Sequence, residues 1–434
     1  MQQGKHAVQS RLLAWFQRLG EIAHSRERSS GRPAGTLDAQ AALLLAVQGF
    51  FGAAGALSGT FVPVFLWKTS QSYALLGWYT LTQYVTSGLT FWLAGKWIKE
   101  HNKMNGLRLG VALSGGFYFA VLMLGEQAKA YMIALGVLNG VAAGLFWLAY
   151  NVVYFEITEP DNRDKFNGWA GFLGSAAGIL APWISGIVIT SRQGLGGYRI
   201  IFTISLIIYG AAVILSFWLR KRKFGERYDW LHTIRQLKER GNPWRRVAPA
   251  IALQGVREGV FMFLVGLMVY VVTRSEKMVG NFSLITSLVA LGAFWVTGKL
   301  LSVRNRKLIM LIGVIMISAV ITVLFFGFNY TALLVFGIGT SLFMPLYTIP
   351  MTSTVFDLIG RTEESARQRV EFIVMRELML TAGRSVGLLA YMAVVPRDDS
   401  PLAIAMLLLA VGAMPIAGWW FIRPILAAPQ QTRT

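Results

Sequence analysis

Apolar and polar positions alternate along this chain in long blocks. Twelve apolar stretches, each close to the ~20 residues an α-helix needs to cross a bilayer, are separated by short polar segments. They run over 40–66, 73–95, 108–125, 130–155, 166–190, 199–219, 247–272, 280–301, 308–328, 331–356, 371–395 and 402–422. The third and ninth are the least interrupted, whereas the fourth and tenth hold Asn139, Asn151, Pro345 and Pro350. The pattern predicts an all-α polytopic membrane protein with 12 transmembrane helices. Its expected segments are an N-terminal cytoplasmic region 1–38, a six-helix bundle 39–219, a basic linker 220–246, a second six-helix bundle 247–424 and a tail 425–434. In the first segment Leu12, Trp15, Phe16, Leu19 and Ile22 recur at helical spacing, as in a helix lying on the membrane surface. Trp230, Ile234 and Leu237 suggest a second such helix in the linker.

Composition agrees with a lipid environment. Apolar residues make up 55% of the 434 positions and charged residues only 14%, too few to cover a water-soluble body of this size. The chain has 45 glycines, which suit helices that pack backbone to backbone, and no cysteine, which removes disulfides and thiolate chemistry. The net charge of +20 would suggest nucleic acid if it formed one patch. Instead 31 of the 41 Lys and Arg fall in alternate inter-helix segments, 7 in the others and 3 within helices. That asymmetry predicts cytoplasmic N and C termini in a bacterial cytoplasmic membrane, with the basic segments against anionic lipid and no nucleic-acid partner.

The two halves look related. Phe91-Trp92-Leu93-Ala94-Gly95-Lys96 recurs as Phe294-Trp295-Val296-Thr297-Gly298-Lys299, and the same offset of 203 matches Gly77 to Gly280, Asn102 to Asn305 and Lys103 to Arg306. A small gap then aligns Gln48-Gly49 with Gln254-Gly255, and Leu145-Phe146 and Tyr150 with Leu342-Phe343 and Tyr347. Two parallel six-helix repeats, with this loop after the second helix of each, resemble the major facilitator superfamily. The resemblance covers nearly everything from residue 38 to 424. It implies two pseudo-symmetric bundles, alternating access, and a conformational loop motif of Gly95, Lys96, Asn102 and Lys103, repeated at Gly298, Lys299, Asn305 and Arg306. The motif's acid is replaced by Lys99 and Ser302, which leaves open whether Glu100 supplies a charge lock. Gly174, Gly178, Pro182 and Gly186, each four apart, read first as a close-packing stripe and second as an antiporter-like motif; Gly136, Gly140 and Gly144 make another stripe.

Charged side chains within apolar helices cost at least ~2.5 kcal/mol each, so they locate chemistry. The first half offers only amides. The second has Arg257 and Glu258 in its first helix and Arg376, Glu377 and Arg384 in its fifth. Counting from the basic end puts Arg257 and Glu258 ~15 Å deep, Glu377 ~10 Å and Arg384 ~20 Å. Glu377 and Arg384, seven apart, share a face; Glu258 could reach Arg384, and Arg257 could reach Glu377 or Glu371. They form either a proton-coupled ion-pair network or a fixed cluster that holds two helices together. His6, His24, His101 and His232 all lie in polar segments, and neither a nucleotide loop nor metal-ligand spacing appears, so neither a cofactor nor an enzyme is expected.

By resemblance, the cavity is lined by the first, fourth, seventh and tenth helices, where Gln48, Asn139, Trp147, Tyr150, Asn151, Gln254 and Tyr347 are the substrate candidates. Aromatic faces with a few amides suit a small or amphiphilic solute. Proton-coupled export by a monomeric secondary transporter leads, a lipid or glycolipid translocase follows, and a non-transporting membrane sensor or assembly factor is the reading from another class.

Overall fold

The computed structural model describes residues 37–157, 160–220, 227–302, 304–359 and 363–426, and every regular element among them is helical. The surface-helix expectation at Leu12–Ile22 lies outside the described residues. In the first half, α1 (Ala39–Gly59) and α2 (Val62–Ser70) form one bent rod, followed by α3 (Tyr73–Trp97), α4 (Lys103–Leu124), α5 (Met132–Ile157), α6 (Pro160–Thr190) and α7 (Gly196–Ser216). A short α8 (His232–Lys238) precedes α9 (Trp244–Thr273), α10 (Glu276–Leu300), α11 (Arg306–Ala319), α12 (Tyr330–Ile359), α13 (Glu363–Arg367), α14 (Arg369–Val394), α15 (Pro401–Gly412) and α16 (Met414–Leu426). Nine stretches among the described residues are long and apolar enough to cross a membrane, and the one from Tyr73 to Tyr154 contains α3, α4 and most of α5. α14 is not among the nine because Arg376, Glu377 and Arg384 interrupt it.

Local signals explain the ends. Asp38 accepts a hydrogen bond from the Ala41 amide at 2.7 Å and starts α1, while Ser72 caps α3. At the hairpins that follow α2 and α9 the chain turns through left-handed residues, Gln71 and Arg274, each with φ of 52°. Their amides donate back to Trp67 O and Tyr270 O, both at 2.7 Å. Gln71 and Arg274 are separated by the same 203 positions as the hexamer repeat, so the duplication is visible in backbone conformation as well as in sequence.

Large apolar side chains face outward, as lipid demands: Met123, Ile207 and Phe326 are exposed. Inside, helices meet through glycine. A Cβ on Gly136, Gly140 or Gly144 of α5 would strike Tyr79, Gln83 or Ser87 carbonyls of α3, so that stripe is a backbone seam. The α6 stripe divides. Gly186 lies under the Glu276 carbonyl of α10, and Gly280 of α10 under the Pro182 carbonyl, whereas Gly174 and Gly178 have nothing within 4 Å. The close-packing expectation therefore applies to the Pro182–Gly186 end alone, because α6 and α10 part toward Lys165 and Leu300.

The two halves meet along two helix pairs, α3 with α14 and α6 with α10. α3 follows α14 over its whole length, from Gly77 beside Tyr391 and Met392, through Gly88 beside Thr381, to Lys99 beside Glu371. α6 and α10 pack from Thr190 and Glu276 as far as Gly178, whose carbonyl accepts from the Ser287 hydroxyl at 3.3 Å. At their other ends Trp169, Phe172, Trp295 and Leu300 are exposed. The end of the molecule at Trp97, Arg306 and Arg369 is called the basic face below.

Gly140→Leu would force the α3–α5 seam apart, and overpacking costs about 1–3 kcal/mol or more. It is expected to lower the melting temperature of the purified protein by several degrees. Gly178→Leu, which meets open space, should leave it within about a degree. Equal losses from the two would refute the division between packed and open glycines.

Candidate functional site

Two glycine pairs build the charged centre. Gly255 and Gly259 of α9 oppose Gly383 and Gly387 of α14. A Cβ on Gly383 or Gly387 would collide with the Ala252 or Val256 carbonyl, and one on Gly259 with the backbone of Arg384. The helices therefore cross backbone to backbone, and the charged residues between the glycines are held against each other.

Arg384 Nη2 donates to Glu258 Oε2 at 2.9 Å, and its Nη1 to Glu377 Oε1 at 2.7 Å. Gln254 Nε2 donates to Glu258 Oε1 at 2.7 Å, so this candidate amide holds the carboxylate rather than facing open space. Tyr84 of α3 lies beneath the guanidinium, with its ring centroid 5.5 Å away, and joins the centre to the first half. Arg257 does not reach Glu377 or Glu371. It lies over the Phe261 ring at 4.2 Å and donates from Nη1 to the Met344 sulfur at 3.4 Å, because position 257 is turned toward α12. Arg376 is half-buried and forms no ion pair among the described residues.

Arg257, Glu258 and Arg384 border a cavity of about 510 Å³. Its wall includes Thr60 and Pro63 at the α1–α2 bend, Arg257, Glu258, Phe261 and Met262 of α9, Ser283 and Thr286 of α10, Thr340, Ser341 and Met344 of α12, and Arg384. That volume lies in the range of ligand pockets for small organic molecules.

The amide and aromatic candidates separate. Gln48 Oε1 accepts from the Tyr150 hydroxyl at 2.5 Å, and Gln48 and Trp147 line a second recess of about 130 Å³ with Phe51. Phe51 stacks on Phe146, which stacks in turn on Tyr150. Asn151 donates to the Trp147 carbonyl in its own helix. Asn139 donates to the Tyr79 hydroxyl at 2.9 Å and ties α5 to α3. Tyr347 is buried in the second half's core, with no partner for its hydroxyl among the described residues.

The loop motif is occupied differently from its family pattern. Lys99, not Glu100, makes the charge contact. Its Nζ donates to Glu371 Oε1 of α14 at 2.6 Å, with both side chains nearly sealed from solvent. The acid has moved to the other half. Glu100 accepts from the Tyr228 amide at 2.7 Å, and a Cβ on Gly95 would strike the Tyr228 ring, so the glycine admits the linker to the helix surface. Asp229 N also donates to Glu371 Oε1 at 3.1 Å. His232, at the start of α8, is buried edge-on to Phe372, and that burial holds its imidazole below the ordinary range against the pull of Glu371 and Asp229. Asn102 caps α4, and Lys103 pairs with Glu156 at the end of α5. In the second half Asn305 accepts from the Ser302 amide, and Arg306 pairs with Asp357 at the end of α12 at 2.6 Å. Lys96 and Gly298 are exposed, and Lys299 lies over the Trp295 ring.

A further contact was not anticipated from the sequence. At the face opposite the basic one, Glu276 of α10 accepts from Lys68 at 3.0 Å and from the Tyr198 hydroxyl at 2.9 Å, which closes α2 and α7 onto the second half.

Comparison with known proteins gives the same architecture. A family model described as the Major Facilitator Superfamily matches residues 44–366. The Bacillus subtilis (strain 168) protein YqgE is 35% identical over 384 residues, covering 88% of this chain and 89% of its own length. A Geobacillus stearothermophilus protein from the sodM 3' region is 42% identical over 160 residues, 37% of this chain and 75% of that protein. Among solved structures, a bacterial homologue of the iron transporter ferroportin in an inward-facing state superposes with a TM-score of 0.64 at 14% identity, over 90% of this chain and 99% of its own. A mutant of the nucleoside transporter NupG gives 0.67 at 11% identity, over 89% and 99%. At such identities the likeness is one of fold.

Breaking a buried ion pair costs ~3–5 kcal/mol because one charge is left without its partner. Lys99→Met is accordingly expected to lower the melting temperature sharply, and Lys99→Met combined with Glu371→Met to recover most of the loss. A double variant no more stable than the single one would show that the two do not act as a unit.

Proposed function

Because this chain belongs to the major facilitator superfamily, and is therefore a multi-pass secondary transporter rather than an enzyme, we propose that it exports a small or amphiphilic solute by proton-coupled alternating access. The observation that carries this reading is Arg384, held between Glu258 and Glu377 at the wall of the cavity. A guanidinium bridging two carboxylates can surrender one of them to a proton while keeping the other. Neutralising Glu377 would release Arg384 toward Glu258, and neutralising Glu258 would release it toward Glu377. α14, which carries Arg384, is also the helix that meets α3 of the first half, so a change in this bridge acts directly at the seam between the halves.

The positive-inside pattern supports a cytoplasmic basic face, and the parted ends of α6 and α10 then support an inward-facing state. Closure on the far side rests on Lys68, Tyr198 and Glu276. Phe261, Met262 and Met344 give the cavity an adaptable apolar wall suited to an amphiphile. A second reading, translocation of a lipid headgroup, draws on the exposed Trp169, Phe172, Trp295 and Leu300 beside the α6–α10 gap, where a lipid could enter sideways.

Reconstitution with a trapped pH dye, under an imposed proton gradient, tests the coupling. Aromatic acids, cationic amphiphiles and sugars are added in turn. A solute that collapses the gradient in wild type is expected to leave it intact with Glu377→Gln, while the variant keeps its elution profile and melting temperature. Normal coupled flux in Glu377→Gln would remove the proton role, and loss of folding would reduce the bridge to a fixture between α9 and α14.

A further inference from the structure

Arg257 lines the cavity and takes no part in the proton bridge. Its side chain is only 4% exposed, and neither Nε nor Nη2 has a hydrogen-bond partner among the described residues. The single contact from Nη1 is to the Met344 sulfur, a weak acceptor without charge. The adjacent carboxylate of Glu258 lines the same cavity but is satisfied by Gln254 and Arg384 and forms no ion pair with Arg257. Arg384 thus has two carboxylates and Arg257 has none.

A buried guanidinium without a counter-charge is costly, and one with two idle N–H groups more so. Phe261 offsets part of that by presenting its ring face to the cation. Arg257 lines the cavity, and so does Thr340 of α12, whose Oγ1 is likewise buried without a partner among the described residues. Two N–H groups of one guanidinium and a hydroxyl make a fork for a planar or tetrahedral oxyanion. Beside it, Phe261, Met262 and Met344 would take an apolar body.

We infer that Arg257 and Thr340 form the anion subsite of the substrate cavity, and that the transported solute is an amphiphilic organic anion carrying a carboxylate or phosphate. This inference deepens the transport reading and rests on it for the passage of the solute, though not for its binding. An organic cation would meet Arg257 at the cavity wall and be repelled. The oxyanion has two sources, a soluble acid or an acidic lipid headgroup, and they share one chemistry at the subsite.

Calorimetry on the purified full-length protein in neutral detergent tests the subsite without any proton gradient. The probes are 4-phenylbutyrate against the neutral 4-phenylbutyramide, and a lysophosphatidate against a monoacylglycerol of the same chain. Wild type is expected to bind at least one anion about tenfold or more tightly than its neutral counterpart. A preference in the first pair identifies a soluble acid, and one in the second pair alone a lipid headgroup. Arg257→Gln should erase the preference, Arg257→Lys should keep part of it, and Thr340→Val should weaken anion binding a few-fold. Equal binding of acid and amide, and of both lipids, by wild type would overturn the subsite, as would an undiminished preference in Arg257→Gln. If Arg257→Gln does not fold, the wild-type comparison and Thr340→Val decide the question. Glu377→Gln should retain the anion preference, so failure of proton coupling and failure of the subsite are read separately.

Discussion

A charge inside a membrane is costly without a counter-charge, and the pairing of Arg384 decides how α9 and α14 of the second half are built. Arg384 could not be tolerated on α14 unless carboxylates were brought to it. One comes from its own helix, seven residues earlier; the other comes from α9. The approach of α9 is possible only because Gly255, Gly259, Gly383 and Gly387 remove the side chains that would keep the backbones apart. Glycine geometry and charge pairing are therefore one device. The glycines set the distance at which the guanidinium can be shared, and the shared guanidinium makes so close a crossing worthwhile.

The sequence made much of this legible, for identifiable reasons. Helix positions follow from apolar length, and the kinship of the halves from a hexamer in register with that pattern. That Glu377 lies on the Arg384 face follows from a seven-residue spacing alone. The glycine spacing around Glu258 and Arg384 was equally present, two pairs four residues apart, and is the signal that marks α9 and α14 as a backbone-to-backbone crossing. The direction in which Arg257 points was not legible, because neighbouring residues on a helix differ by ~100° and either face could have met a charge. Lys68 and Glu276 were hidden for another reason. Each looks like an ordinary loop residue until tertiary contact pairs the two across the halves.

Duplication and divergence are both visible in the result. The left-handed hairpin residues Gln71 and Arg274 keep their register, and Lys103–Glu156 has a counterpart in Arg306–Asp357, each joining the start of a third helix to the end of a fourth. What diverged is the interior. The first half holds amides and stacked rings, Gln48 with Tyr150 and Phe51 with Phe146, while the second holds the charges. An aromatic wall and an ionic wall, set in similar frames, give the molecule two chemically distinct recesses.

The two clasps between the halves share a polarity. At the basic face, lysine from the first half meets glutamate from the second, and at the opposite face the same assignment recurs with Lys68 and Glu276. An assembly of two first halves would set ammonium groups where each clasp needs a carboxylate, and an assembly of two second halves would leave glutamates facing one another. The ancestral symmetry of the repeat has thus been converted into an obligatory order, as in a heterodimer whose subunits happen to share one chain. Each half has become a lock-and-key partner for the other and an incompatible one for itself.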